Sequence, residues 1–253
     1  MNNKKLMIGM VHLPPLPGYP KHPGMPAVIS KALVDLETLE DAGFDGILVE
    51  NDNDQPHQIG VNNIILEAFR KIMKKIKSKS KVLVGMEIIY DMQNTVQMAV
   101  DLKLDFVRLD VFADTVSTRW GVIAESCMKV DEMLQKTKTR PSIYTDVHVK
   151  HAQVISGRKL RKSVKRSIDY GSSGIILTGN WTGEAPNTLD LIEAKKLAGG
   201  KIPVLVGSGL DLENAAKILS VADGAIVGTS IKTGEYIDKY KATNLIRIVR
   251  SMR

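Results

Sequence analysis

The segment Thr145-Asp146-Val147-His148-Val149-Lys150 alternates polar and apolar residues, which on a strand puts Asp146, His148 and Lys150 on one face. A carboxylate, an imidazole and an ammonium side by side make an acid/base unit. Histidine titrates near neutrality, and lysine can stabilise a developing oxyanion or form a Schiff base. An internal Asp–Lys ion pair with a hydrogen-bonded histidine is the structural alternative for the same pattern, and His151 falls on the opposite face, where it is read as structural. Glu50 closes another apolar run as partner base or hydroxyl-orienting group. His12, Asn51, Glu87, Asp110, Thr178 and Asn180 also stand at the ends of apolar runs and are read as substrate-binding groups.

A different chemistry is written in Gly207-Ser208-Gly209 and in Gly228-Thr229-Ser230. Glycine lets backbone N–H groups approach an anion closely, and Ser/Thr hydroxyls complete the cradle, so this pair of turns predicts a phosphate site. Metal binding has a weaker signature. Glu50, Glu87, Asp110, Asp146 and His148 are of the oxygen- and imidazole-ligand type, but no tight motif such as His-Glu-x-x-His occurs. A divalent metal is compatible with these residues, and no cofactor is required by them.

The elements that must position these groups alternate along the whole chain. Apolar runs at 6–13, 46–51, 82–89, 106–113, 142–151, 174–180, 202–209 and 224–231 read as strands. Between and after them, segments at 27–42, 64–76, 95–102, 122–134, 160–170, 189–197, 212–219 and 236–249 have helical spacing. Gly43, Gly171 and Gly199 stand where helices stop, and Pro141 and Pro203 at strand starts. Eight β/α units predict an α/β fold with one (β/α)8 TIM barrel domain over 1–253; an open doubly wound sheet would want an early glycine-rich turn that is absent here. In such a barrel the chemistry sits at the C-terminal ends of the strands, with phosphate after strands seven and eight, where the two glycine/hydroxyl turns fall.

Two loops are candidates for covering that face. The stretch His12 to Pro20 is stiffened by Pro14, Pro15 and Pro17, as a shaped lid or as a loop held in place. The glycine-rich loop after the sixth strand carries Trp181, which could stack on a ring or cover the rim.

Composition narrows the class. The chain has 253 residues, 43% hydrophobic and 25% charged, which excludes disordered, collagen-like and fibrous classes. Lys+Arg 35 against Asp+Glu 28 gives +7, an excess that suits an anionic ligand. The basic clusters of Lys71 to Lys81 and Arg158 to Arg166 lack interleaved aromatics, so they read as solvated helix faces and not as a nucleic-acid surface; peripheral contact with an anionic membrane stays open. Cys127 is the sole cysteine, the N-terminus does not resemble a signal peptide, and no run is long enough to cross a bilayer. A cytoplasmic protein that forms a homo-oligomer is expected.

The chain resembles, end to end, the BtpA / SgcQ family of TIM barrels. The resemblance is carried by Ile8-Gly9-Met10-Val11-His12-Leu13-Pro14, Gly46-Ile47-Leu48-Val49-Glu50-Asn51, Asp146-Val147-His148-Val149-Lys150-His151-Ala152, Val204-Leu205-Val206-Gly207-Ser208-Gly209 and Ala222 through Ser230. It implies a barrel of the ribulose-phosphate-binding kind, in a family linked to photosystem I accumulation in cyanobacteria and to a sugar-uptake gene cluster in enteric bacteria. Asn51-Asp52-Asn53-Asp54-Gln55-Pro56-His57 departs from the more common Asn-Phe-Gly-Asp-Ala-Pro-Phe, and strand four lacks the familiar Asn-Val. The expectation is an enzyme acting on a phosphorylated sugar or nucleotide-derived metabolite by isomerisation, epimerisation, lyase or glycosidic cleavage chemistry. The alternative is a non-catalytic assembly or regulatory factor that binds such a metabolite.

Overall fold

A computed structural model describes residues 4–179 and 183–252; Asn180 and Trp181 lie outside the described residues. Eight strands close into a barrel: Leu6–His12, Gly46–Glu50, Leu83–Glu87, Phe106–Leu109, Ser142–Asp146, Gly174–Leu177, Val204–Val206 and Gly224–Val227, here called barrel strands one to eight. Every neighbouring pair runs parallel, in the cyclic order one, eight, seven, six, five, four, three, two. Parallel neighbours need a crossover, and the helices provide it: α1 (Met25–Ala42), α2 (Asn63–Lys77), α3 (Met92–Asp101), α4 (Cys127–Gln135), α5 (Leu160–Asp169), α6 (Thr188–Ala198), α7 (Ala215–Leu219) and α8 (Lys239–Ser251). The fold is the TIM barrel.

The hydrophobic pattern explains the layering. In α2, Ile65, Phe69, Ile72, Met73 and Ile76 recur at three- and four-residue spacing and are buried, while Lys74, Lys75 and Lys77 fall outside that stripe in its last turn. Strand residues serve two cores because their side chains alternate. Met7, Val11, Ile47 and Val49 pack outward against helices, whereas Ile8, Met10, Leu48, Phe106, Ile176, Leu205 and Ile226 fill the barrel interior. Register then aligns the strand ends: His12 pairs with Glu50, and Glu50 pairs with Glu87.

The structure departs from the sequence expectations at four places. Barrel strand five ends at Asp146, because the chain turns through left-handed backbone at His148 (φ 55°) and His151 (φ 62°). Ala152–Val154 then pairs antiparallel with Val116–Thr118, which pairs with Gly121–Ile123. This small sheet after barrel strands four and five takes Val122 and Ile123 out of the expected helix, so α4 begins at Cys127. Tyr236–Ile237 forms a hairpin with Lys232–Thr233, and α8 starts behind Asp238, whose carboxylate accepts from the N–H groups of Tyr240 and Lys241. Reciprocal side-chain-to-backbone bonds between Asp211 and Asn214 close a turn that delays α7 to Ala215. Among the described residues no helix is long and apolar enough to cross a membrane.

Candidate functional site

A cavity of 1210 Å³ opens at the C-terminal ends of the barrel strands. His12, Glu50, Glu87 and Asp110 reach it from barrel strands one to four, and His148, Lys150 and Thr178 from the loops after five and six. Gly207, Ser208 and Gly209 with Gly228, Thr229 and Ser230 form its wall after strands seven and eight. The two sides touch. A Cβ placed on Gly228 would lie 3.2 Å from Cε1 of His12, and one on Gly207 would lie 3.5 Å from Nη2 of Arg108.

Arg108 organises the floor. Its Nε donates to Oδ2 of Asp146 at 2.7 Å and its Nη2 to Oδ1 at 2.9 Å, a bidentate pair in which both residues are buried. Nη1 stands 3.6 Å from Oε2 of Glu87. Burial works against the charge on Arg108, but Asp146 and Glu87 more than offset it and push its pKa further up. The Glu87 carboxyl is buried, and its Oε2 has no hydrogen-bond partner among the described residues. Burial drives its pKa well above the usual carboxylate range; Arg108 pulls it back, while Glu50, Asp110 and Asp146 push it up again. Burial, and then the charge of Asp146, raises Asp110 to about 7. The floor therefore holds the Arg108–Asp146 pair beside two carboxyls whose pKa values burial raises, Asp110 to about 7.

Glu50 behaves oppositely. Burial raises its pKa, but the hydrogen bond from His12, with the charges of Arg108 and Lys150 behind it, holds it far below the carboxylate range. The contact is His12 Nε2 to Glu50 Oε2 at 3.3 Å. On the far side of the ring, Nζ of Lys232 meets Nδ1 of His12. An ammonium only donates, so Nδ1 accepts and Nε2 carries the proton aimed at Glu50. Burial and the neighbouring Lys31 lower Lys232 to about 8. Lys232, His12 and Glu50 form a chain from the strand-eight hairpin into the cavity.

The glycine wall is built from backbone. Gly209 has φ +73°, and a Cβ there would meet the Ala185 nitrogen at 2.2 Å, so only glycine lets the loop after strand six lie against it. Ser208 Oγ donates to the Glu184 carbonyl at 2.9 Å, and Ser230 Oγ donates to the Leu210 carbonyl at 2.6 Å. These hydroxyls brace the loops. Thr229 is exposed and opens a short 3-10 turn over Thr229–Ile231.

Three sequence readings are corrected. Asp146, His148 and Lys150 do not share a strand face, because the strand stops at Asp146; Asp146 pairs with Arg108 beneath the cavity, and His148 Nε2 turns to Ser163 Oγ of α5 at 3.4 Å. His151, read as facing away, lines the cavity. Asn51 does not line it: its amide bonds Asp54 and the Ile89 N–H, and Asp54 in turn receives the Leu16 N–H at 2.8 Å. That network clamps the proline-rich loop, in which Leu13 and Leu16 are fully buried, so the loop is a fixed brace and not a lid. Among the described residues no three His, Cys, Asp or Glu side chains are grouped to hold a metal ion; the Arg108 guanidinium stands among the carboxylates instead.

Two functional residues escaped the sequence reading. Arg108 left a signal, a charge inside the apolar strand Phe106-Val107-Arg108-Leu109 and two residues from Asp110. Lys232 left none, because its partner is 220 residues away.

Comparison with known proteins adds family and fold. The model of the BtpA family matches residues 3–251. An uncharacterized protein of Pyrococcus horikoshii is 33% identical over 99% of this chain and 98% of its own. The photosystem I biogenesis protein BtpA of Synechocystis is 32% identical over 89% of this chain and 80% of its own. Among solved structures, a thiamine phosphate pyrophosphorylase from Pyrococcus furiosus superposes with TM-score 0.59 at 15% identity, covering 99% of this chain and 98% of that one. The phosphoribosyl anthranilate isomerase of Thermus thermophilus gives 0.59 at 13%, covering 98% and 99%. Similarity at that level establishes the barrel fold.

Proposed function

The chain belongs to the BtpA family, and from that premise and the chemistry of the barrel mouth we propose that it is an acid/base enzyme acting on a phosphorylated sugar or nucleotide-derived metabolite. The observation that carries this reading is the single cavity in which glycine loops from strands seven and eight abut the buried carboxylates of strands two to four. Phosphate would rest on the loops at Gly207–Gly209 and Gly228–Ser230. Solved barrels of like fold are named for thiamine phosphate and phosphoribosyl anthranilate, which is consistent with a phosphorylated ligand.

The reacting carbons would then lie over Glu50, Glu87 and Asp110. Glu87, whose pKa burial raises, would be the proton donor, Asp110 would titrate near 7, and Glu50 would be a fixed anion oriented by His12. A general acid beside a general base serves isomerisation, epimerisation and glycosidic cleavage alike, and Lys150 adds an amine for lyase chemistry. Asp146 is a positioning residue that orients Arg108.

The test pairs two substitutions. Thermal stabilisation of the wild type by phosphosugars, nucleotides and inorganic phosphate identifies a ligand, whose turnover is then followed by NMR. Thr229→Asp puts a carboxylate in the cradle and abolishes the stabilisation. Glu87→Gln keeps it and lowers turnover by about 10²–10⁴-fold, the usual contribution of a general acid. No response to any phosphate compound, or full turnover in Glu87→Gln, overturns the reading. The name of the Synechocystis relative favours a second one, a non-catalytic assembly factor that binds a phosphometabolite; there Glu87→Gln leaves biological function intact while Thr229→Asp destroys it.

A further inference from the structure

Opposite the glycine wall the mouth is aromatic. In a closed ring of eight strands with this order, strand three lies across from strand seven and strand four across from strand eight. Tyr90 follows strand three, Trp120 follows strand four, and His57 follows strand two; all three line the cavity. They form one cluster. The His57 ring meets Tyr90 edge-on with centroids 5.8 Å apart and an angle of 89°, and it meets Trp120 at 6.1 Å and 82°. The Arg119 guanidinium stands 4.6 Å from the Trp120 centroid.

Trp120 is fixed in place. It sits at the tip of the hairpin Val116–Thr118 and Gly121–Ile123, its backbone N–H donates to Thr118 Oγ1 at 3.1 Å, and Ala152–Val154 pairs along the other edge of that hairpin. The barrel closes without this small sheet, which carries Ser117, Arg119, Trp120 and Gln153 to the cavity. Burial lowers the pKa of His57, and its Nε2 faces the Gln55 amide nitrogen at 2.8 Å. A cavity of 1210 Å³ also exceeds what a phosphosugar alone would fill.

We propose that this cavity takes a phosphorylated nucleoside, a 5′-mononucleotide, with its base against Trp120, Tyr90 and His57 and its ribose over the carboxylates. The assignment rests on the phosphate placement of the preceding section and adds the substrate class. Flat rings stack on aromatic faces whatever their sequence of heteroatoms. A sugar phosphate reaches the phosphate loops and the carboxylates and leaves the aromatic side empty.

Calorimetric titration of the full chain with AMP, GMP, CMP, UMP, ribose 5-phosphate and inorganic phosphate decides it. At least one mononucleotide binds about ten- to a hundredfold more tightly than ribose 5-phosphate, as one stacked base contributes. Trp120→Ala erases that advantage and leaves the ribose 5-phosphate affinity within about twofold, and Trp120→Phe restores it. Tyr90→Leu repeats the experiment from the neighbouring loop, should Trp120→Ala fail to fold. Ribose 5-phosphate binding as tightly as every mononucleotide overturns the proposal, as does a Trp120→Ala variant that weakens both ligands equally; the phosphate site survives either result. Silence from all six compounds removes the phosphate site and the proposal together.

Discussion

On the side of strands seven and eight the cavity wall is glycine backbone and hydroxyls that brace their own loops; on the side of strands one to five it is carboxylates, an imidazole and a guanidinium. The first side owes its shape to the absence of side chains, and an anion there meets backbone whose partial charges do not titrate. The second side owes its properties to mutual electrostatics. Asp110 and Glu87 are raised while Glu50 is lowered, although all three are buried carboxyls on adjacent strands. The difference is partnership: Glu50 has His12 at 3.3 Å, whereas Glu87 has one oxygen without a hydrogen bond. One side of the mouth is steric and pH-independent, and the other is charged and pH-dependent.

The strongest test of that contrast is Arg108→Met. It strands Asp146 as a buried carboxylate without its bidentate partner, and breaking such a buried pair costs about 3–5 kcal/mol. Thermal and denaturant unfolding at neutral pH would show the loss, with partial recovery in acid as the carboxylates take up protons; a loss below about 1 kcal/mol would mean that Arg108 does not organise the floor.

Next comes Asp110→Asn. Folded Asp110 keeps its proton up to about 7, while the unfolded chain releases it near 3.8, the ordinary aspartate value. Between those pH values the folded state binds more protons, so this group's contribution to stability is full below the unfolded pKa and is lost as pH rises to about 7. The asparagine variant lacks that decline, and denaturation curves at pH 5 and pH 8 should show it gaining on the wild type at the higher pH. Parallel behaviour of the two proteins would break the assignment of Asp110 as the titrating group.

The smallest of the three is Gly209→Ala, on the steric side. A left-handed φ of +73° and a Cβ 2.2 Å from the Ala185 nitrogen cost about 1–3 kcal/mol and displace the loop after strand six. Phosphate binding weakens, and the stability-versus-pH profile keeps the wild-type shape. A changed profile would show that the two sides are electrostatically joined.

Much of this protein was legible before any coordinates. Ile65, Phe69, Ile72 and Ile76 repeat at helical spacing because that stripe must face the barrel, and most strand runs are largely apolar because both of their faces are buried. The rule that barrel chemistry gathers at strand ends picked out His12, Glu50, Glu87, Asp110 and the two glycine turns, and all of them line one cavity. Strand five misled for a specific reason. Alternation continues through Lys150 in the sequence, but a left-handed residue at His148 redirects the chain, and nothing in the alternation marks it. Asn51 misled because an amide at a strand end can turn to a neighbouring loop as readily as to a ligand.

What the sequence determined by itself is the barrel, because periodicity is a local property that each β/α unit states on its own. It also located the two glycine turns that wall one side of the mouth, because such turns act through backbone at their own positions. Tertiary structure alone decided the ionisation of the carboxyls, the tautomer of His12 and the gathering of His57, Tyr90 and Trp120. Each depends on groups from different strands brought within a few ångströms, and Coulomb and aromatic interactions follow distance in space, which sequence separation does not encode.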